Sequence, residues 1–374
     1  MLLLPLLMFL PLLPRLVSAE KYIVVSESPL LNFQHKYQPR YSRESVSIGQ
    51  MTFHFVESER DLIHFYSNAD ASSPGVVHVE IDSQVSMGSS LYNLQKNPVW
   101  HLDRVDQRDS KLNGKYFSHV SGGSTVRNYI LDTGIDIRHP EFEGRAKWGA
   151  NFADDQGPDG CLESHGTHVA GIIGSKTYGV AKKTNLISVK VLDCSGSGST
   201  SGVIRGIEYA VNDANGPNNA KVINLSLGGG FSVALNRAVK EATKVGIFVV
   251  AAAGNENADA CGSSPASEPS VITVGAFERG DRISWFSNFG RCVDLFAPGS
   301  AIKSTVPGGE TEVFDGTSQA SPIVAGIVSL ILSSSKRAFT PCEMKEFLSA
   351  ASTQNRLSGN LYGSPNKIIF SLAM

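Results

Sequence analysis

Three short stretches carry residue types that can together break an acyl bond. "DTGID" puts Asp132 at the end of an apolar run, and "HGTHVAG" puts His165 where a glycine turn enters helical spacing. "DGTSQASP" puts Ser318 just ahead of the apolar run "IVAGIVSLIL". A hydrolytic serine needs a base to take its proton and an acid group to orient that base and balance its charge. A serine at a helix start has open backbone N–H groups and the positive end of the helix dipole beside it, which suits a developing oxyanion. The same position suits a plain N-cap, so Ser318 alone means little. His168, three positions after His165, shares its helical face, which is also the spacing of a metal pair. Zinc would need a third protein ligand, and the chain has neither HEXXH nor clustered Cys/His spacing.

The segments around these residues alternate between strand and helix. "VRNYILDT", "NLISVKVLD", "KVINLSLGG" and "IFVVAAAG" read as strands. "TSGVIRGIEYAVNDA", with Val203, Ile207, Ala210 and Val211 on one face, and "VALNRAVKEATKVG", stopped by Gly246, read as helices. The alternation predicts an α/β fold with a mostly parallel sheet and helices on both faces, its functional groups gathered at the carboxyl edge. The strand ends there read "LDTG", "LDCSGSG", "SLGGG" and "AAAGN". One such glycine is explained by a tight turn; four sets predict a surface along which another backbone lies. Residues 20 to about 92 differ: "KYIVV", "MTFHFV" and "VVHVEI" are short strand-like runs of a small α+β unit without cysteine.

With 374 residues, 41% of them hydrophobic, the chain can bury a large core and hold a smaller domain beside it. The net charge of −2 and the lack of a long single-sign run offer nothing to nucleic acid or to an anionic membrane. Residues 1–19 read as a secretory signal cut after Ala19, because the apolar run Leu2 to Pro14 is interrupted by prolines and too short to span about 30 Å of hydrocarbon. Five cysteines then meet an oxidising compartment, and the odd number leaves one thiol over. The sequon Asn224-Leu225-Ser226 lies inside an apolar strand pattern and is expected to stay unmodified.

The chain order Asp, His, Ser is the subtilisin order, and no G-x-S-x-G elbow occurs. With "HPEFEGRA", "YGVAKKTNL", "VLDCSGSGSTSGVI" and "SPASEPSVITVGA", the chain after residue 19 resembles the subtilisin-like serine proteases, specifically their proteinase K and aqualysin branch. The resemblance implies a three-layer fold in which Asp132 orients, His165 is base and acid, and Ser318 is the nucleophile. It makes Asn255 the side-chain donor of the oxyanion hole. Gly196, Ser197 and Gly198 on one side and Ser226, Leu227 and Gly228 on the other would flank an extended polypeptide substrate as added strands. Ala253, Gly254 and Glu256 would line the P1 pocket, giving broad specificity with apolar P1 favoured. Thr200 stands where proteinase K has a tyrosine at P4, so no P4 preference carries over. Gln319 replaces the methionine many relatives have beside the serine. A non-enzymatic binding protein of the same fold is the remaining rival, and all four chemical positions are intact against it.

The resemblance further implies a signal at 1–19, an inhibitory propeptide at 20–92 removed by the enzyme itself, and a catalytic domain at 93–374. The product would be a secreted monomer without a membrane anchor, held in check by its own propeptide. It implies disulfides Cys161–Cys194 and Cys261–Cys292, although Cys161 lies one residue further from His165 than is usual, and leaves Cys342 as a free thiol expected in the core. It implies structural calcium at two places: at Asp294 with the carbonyls of Pro269 and Val271, and at Asp103, Asp106 and Gln107, with Asn113 as a further candidate.

Overall fold

The computed structural model describes residues 20–27, 40–58, 76–82, 91–153, 165–214 and 220–371. The expected signal and Cys161 lie outside the described residues. The chain divides into two compact units, Met1–Ser89 and Ser90–Met374.

In the first unit, β1 (Glu20–Ser26), β2 (Arg40–Ile48), β3 (Met51–Ser58) and β4 (Val76–Ile81) form an antiparallel sheet in the order β2-β3-β1-β4. Tyr22 and Val24 alternate along β1 onto one face and pack with Val56, as the two-residue period of a strand requires. β2 is an addition to the sequence reading: "RYSRESVSI" has little apolar alternation and owes its strand form to pairing with β3. No helix is seen among the described residues of this unit.

Among the described residues of the second unit, seven strands form the parallel part of a sheet, and the first, third, fourth and fifth of them lead into the glycine-rich stretches. They are β5 (Val126–Asp132), β6 (Ala146–Asn151), β7 (Asn185–Lys190), β8 (Ala220–Leu225), β9 (Phe248–Ala252), β10 (Ile272–Glu278) and β11 (Leu295–Pro298). They lie in the order β11-β10-β9-β8-β5-β7-β6, and each neighbouring pair is parallel. Among the described residues six α-helices accompany them: α1 (Trp100–Val105), α2 (His165–Gly174), α3 (Thr200–Asn212), α4 (Val233–Lys244), α5 (Thr317–Ser334) and α6 (Pro341–Ala351).

Neighbouring residues of one strand enter opposite cores. Ile130, Val222 and Val250 join Ile172 of α2 and Ile323 and Val324 of α5. Leu131, Ile223 and Val249 join Val203 and Ile207 of α3 and Val239 of α4. Both faces of the sheet are therefore covered, which is why its strands read as continuous apolar runs. α5 is apolar and long enough to cross a membrane, and 78% of that stretch is buried in the fold as its core helix. From β5 the chain runs outward to β6, returns through β7 and crosses to β8 on the other side of β5. The crevice beyond the carboxyl ends of β5 and β8 is thus a topological switch point, where α/β sheets bind ligands.

Two residues lie elsewhere than the sequence reading puts them. Tyr92, assigned to the first domain by pattern, opens the strand Tyr92–Lys96, which pairs with Lys115–His119 inside the second unit. Cys342 is exposed rather than in the core: α6 buries only Met344 and Leu348, and Cys342 projects from another face of the helix.

Candidate active site

Asp132 is the last residue of β5, and its carboxylate is wholly buried. Its Oδ1 and Oδ2 lie 2.9 and 3.0 Å from Nδ1 of His165, and Oδ1 also accepts the Thr133 N–H at 2.7 Å. His165 opens α2. The helix starts this close to the strand end because residue 166 is glycine; a Cβ there would stand 2.2 Å from the Gly134 carbonyl oxygen. Burial disfavours the imidazolium of His165, but the charge and hydrogen bond of Asp132 outweigh it and hold the pKa above its ordinary 6.5. About a third of the ring side chain, 30%, remains exposed toward the crevice.

His168 does different work. It is wholly buried, its Nε2 donates to the carbonyls of Ile302 at 3.1 Å and Glu312 at 3.2 Å, and its ring stacks on Phe314 at 4.2 Å. Burial pushes its pKa down to about 3, so the ring is neutral and structural. Nε2 is spent on two carbonyls, and no group of three His, Cys, Asp or Glu that could hold a metal occurs among the described residues, so the geometry gives the metal-pair reading no support.

Ser318 is the second residue of α5, which starts against the end of β8. Its hydroxyl donates to the Ser226 carbonyl at 3.2 Å, turned there rather than to His165, while the Ser226 hydroxyl donates back to the Ser318 carbonyl at 2.7 Å. Asn224 completes the clamp: its amide donates to Ser226 Oγ at 2.9 Å and accepts Ser321 Oγ at 2.8 Å. The sequon asparagine is thus wholly buried and engaged at both amide atoms.

Asn255 follows β9. Its Oδ1 accepts both the N–H and the hydroxyl of Thr317, at 2.8 and 2.9 Å, which turns Nδ2 the other way. A point at Cβ distance on Gly316 lies 3.5 Å from Asn255 Nδ2 and 3.5 Å from Ser318 N. Two nitrogens therefore flank one point beside Ser318, where Gly316 carries no side chain. Gln319, 1% exposed, stands beside them with Oε1 2.7 Å from the same point.

A profile described as the subtilase family matches residues 126–364 of this chain. The chain belongs to the subtilase family. Subtilisin-like protease 7 of Trichophyton violaceum is 49% identical over 259 residues, covering 69% of this subtilase and 64% of that relative. Subtilisin-like protease 7 of Arthroderma otae is 48% identical over 267 residues, covering 71% and 66%. The matched region thus spans somewhat less than two thirds of each relative's length. A crystal structure of a cold-adapted subtilisin-like serine proteinase superposes with a TM-score of 0.70 at 46% identity, over 74% of this chain and all of that one.

Two cavities meet at Leu227 and Gly228 of this subtilase. One, of 560 Å³, is lined by His165, Gly196, Ser197, Gly198, Thr200 and Ser226 among others. The other, of 530 Å³, is lined by Ala253, Gly254, Asn255, Glu256 and Ser318. All the residues expected to contact a substrate are thus drawn into one crevice. Asn288 is a member the sequence reading missed. Buried at 2% exposure, it donates to the Ala253 carbonyl at 2.9 Å and to Glu256 Oε2 at 2.7 Å, and accepts the N–H groups of Glu256 and Ala258 at 3.1 and 2.9 Å. It fixes the floor of the second cavity and explains Gly254, where a Cβ would stand 2.2 Å from Asn288 Nδ2. An isolated asparagine in "SWFSNFG" carries no local signal of this role.

The two places expected to hold calcium differ. Asp103 accepts the N–H groups of Asn113 and Gly114 at 3.0 and 2.8 Å, and Asp106 Oδ2 accepts that of Phe117 at 2.8 Å. Asp106 Oδ1 is buried without a hydrogen-bond partner, and burial, with Asp103 nearby, pushes the carboxyl up to about 7. Gln107 turns its Nε2 to the carbonyls of Asp109 and Lys111. An orphaned buried oxygen between carboxylates fits a cation. No three His, Cys, Asp or Glu side chains cluster for a metal among the described residues, so a cation here would draw on two carboxylates and neutral oxygens. At Asp294, by contrast, the place is taken. The ammonium of Lys345 lies 2.9 Å from Asp294 Oδ2 and donates to the carbonyls of Pro269 at 2.7 Å and Val271 at 2.8 Å. The expected calcium does not fit there, because it would need the same three oxygens at about 2.3–2.6 Å.

Cys261 and Cys292 form a disulfide with Cα atoms 5.3 Å apart. Cys194 is disulfide-bonded, and its expected partner Cys161 lies outside the described residues.

Proposed function

We propose that this subtilase is a serine endopeptidase, and the observation that carries the reading is that Asn255 Nδ2 and Ser318 N flank one point beside Ser318, in a cavity that adjoins the one lined by the Asp132-oriented His165. On substrate binding the Ser318 hydroxyl exchanges the Ser226 carbonyl for His165 Nε2 and attacks the scissile carbonyl carbon as His165 takes its proton. The oxyanion is received by Asn255 Nδ2 and Ser318 N, and Asp132 offsets the charge of the imidazolium. His165 then gives the proton to the leaving amine, and water, activated by the same imidazole, releases the acyl group.

Small residues favour a large apolar P1 side chain: Ala253, Gly254, Ala258 and Ala266 leave the second cavity roomy, and Glu256 at its edge tolerates a basic one. A peptide-library profile with strictly acidic P1 would overturn this. Main-chain pairing along 196–198 and 226–228 supplies affinity. The chain is read as a secreted zymogen whose first unit is an inhibitory propeptide, removed near Ser89, and Asp103, Asp106 and Gln107 as holding a structural calcium ion.

The test is a fluorophosphonate probe applied to secreted, processed protein, with the adduct mapped. Label on Ser318 is expected, and correctly processed protein without it would reject the reading. A Ser318→Ala chain is expected to stay unprocessed.

A further inference from the structure

Lys345 reaches across 74 and 76 residues of sequence to two backbone carbonyls and meets a carboxylate between them. Its three N–H bonds are matched by three oxygens, those of Pro269, Val271 and Asp294, all within 2.9 Å. A lysine ammonium has three donors and no acceptor, so nothing is left over. The oxygens come from separate segments. Pro269 and Val271 precede β10, and Asp294 precedes β11 and also accepts the Thr273 N–H at 2.8 Å. Lys345 sits on α6. The contact joins two strand starts and a helix, close in sequence to the Cys261–Cys292 bridge.

We propose that Lys345 is a tethered replacement for the metal ion expected among these oxygens, so that this junction is held by the chain's own charge whatever the calcium concentration. Hard oxygens that converge on one cation accept an ammonium as they would a metal, with the difference that the ammonium arrives with the fold and cannot be chelated away. The inference stands whether or not the chain is a peptidase.

The test uses the full chain in a Ser318→Ala background, to prevent self-digestion, and compares it with Lys345→Met and with Lys345→Met/Asp294→Asn. In chelator, Lys345→Met is expected to melt about 5 °C below its parent, since a partly buried carboxylate and two carbonyls lose their cation. Calcium should restore it, with one additional equivalent bound by calorimetry, and the double variant should lose that equivalent. Equal melting of parent and Lys345→Met in chelator, with equal calcium stoichiometry, would overturn the proposal. A second measurement does not depend on the variant folding. In the parent, reductive methylation mapped by peptide should find Lys345 slower than exposed Lys336 and unaffected by calcium. Calcium-induced reactivity of Lys345 would show the metal displacing the lysine and would sink the idea.

Discussion

Asp132 and Asp294 each hold a basic group at 2.9 Å, yet the two pairs serve opposite ends. The partner of Asp132 is a histidine with one ring nitrogen engaged and 30% of its side chain open to the crevice. The partner of Asp294 is a lysine with every donor spent. Histidine changes charge near neutral pH and lysine does not. A carboxylate–base pair becomes chemistry when its base keeps a free face and can trade a proton, and architecture when it does neither. Asp106 is a third case, a carboxylate whose buried Oδ1 has no hydrogen-bond partner among the described residues.

The largest expected difference comes from removing the charge of each carboxylate in turn. Asp132→Asn should lower kcat about 10⁴-fold, the loss seen when the corresponding charge is removed from another serine-protease triad, with the fold intact by circular dichroism. Asp294→Asn should leave kcat/KM within about twofold and lower stability by roughly 1–2 kcal/mol, modest because both partners are partly exposed. If Asp294→Asn instead abolished turnover, the division between chemistry and architecture would fail. Chelation probes the third case. At calcium a hundredfold above its Kd, a metal at Asp106 contributes about 2.7 kcal/mol, so chelation should lower Tm by roughly 5 °C. Asp106→Asn should abolish that response, whereas a response persisting in that variant would place the metal elsewhere.

Much of this was legible because buried parallel strands and covering helices leave strong periodicity. Val203, Ile207 and Ala210 face inward as their spacing predicts, and Asp132, His165, Ser318 and Asn255 all lie at strand ends or helix starts. His165 and His168 are told apart already in the sequence, because neither HEXXH nor clustered Cys/His spacing offers zinc a third ligand. What stayed hidden depends on distant parts of the chain. Strand β2 is made by its partner rather than by its own alternation. Asn288 acts through four hydrogen bonds to a segment about thirty residues away. Lys345 lies on a helix whose sequence gives no sign that it will meet Pro269 and Val271. A resemblance can carry ligand positions forward, but an intruding side chain from elsewhere is visible only in three dimensions.

The pH dependence separates the pairs more gently. Because Asp132 raises the pKa of His165, the acid limb of kcat/KM should have its midpoint above 6.5, activity rising with pH as the imidazole is freed. The stability sign is the reverse: the pair's contribution is complete below 6.5, the unfolded value, and is lost as pH rises through the folded one. Asp132→Asn should remove this loss from melting curves taken on either side of neutrality, and Asp294→Asn should leave it in place.

The smallest effect is the most discriminating about Lys345. If only positive charge mattered, Lys345→Arg would melt with the parent. The three oxygens, however, converge on a single nitrogen at 2.7, 2.8 and 2.9 Å, an arrangement suited to a compact ammonium or a metal ion. A guanidinium spreads its donors over a rigid planar fork and cannot bring three of them to one point. Lys345→Arg should therefore melt about 2 °C below the parent in chelator, between it and Lys345→Met, with calcium restoring little because the arginine keeps its charge beside Asp294. Parent-like melting would reduce the lysine to a simple ion pair and leave its two carbonyl contacts without energetic consequence.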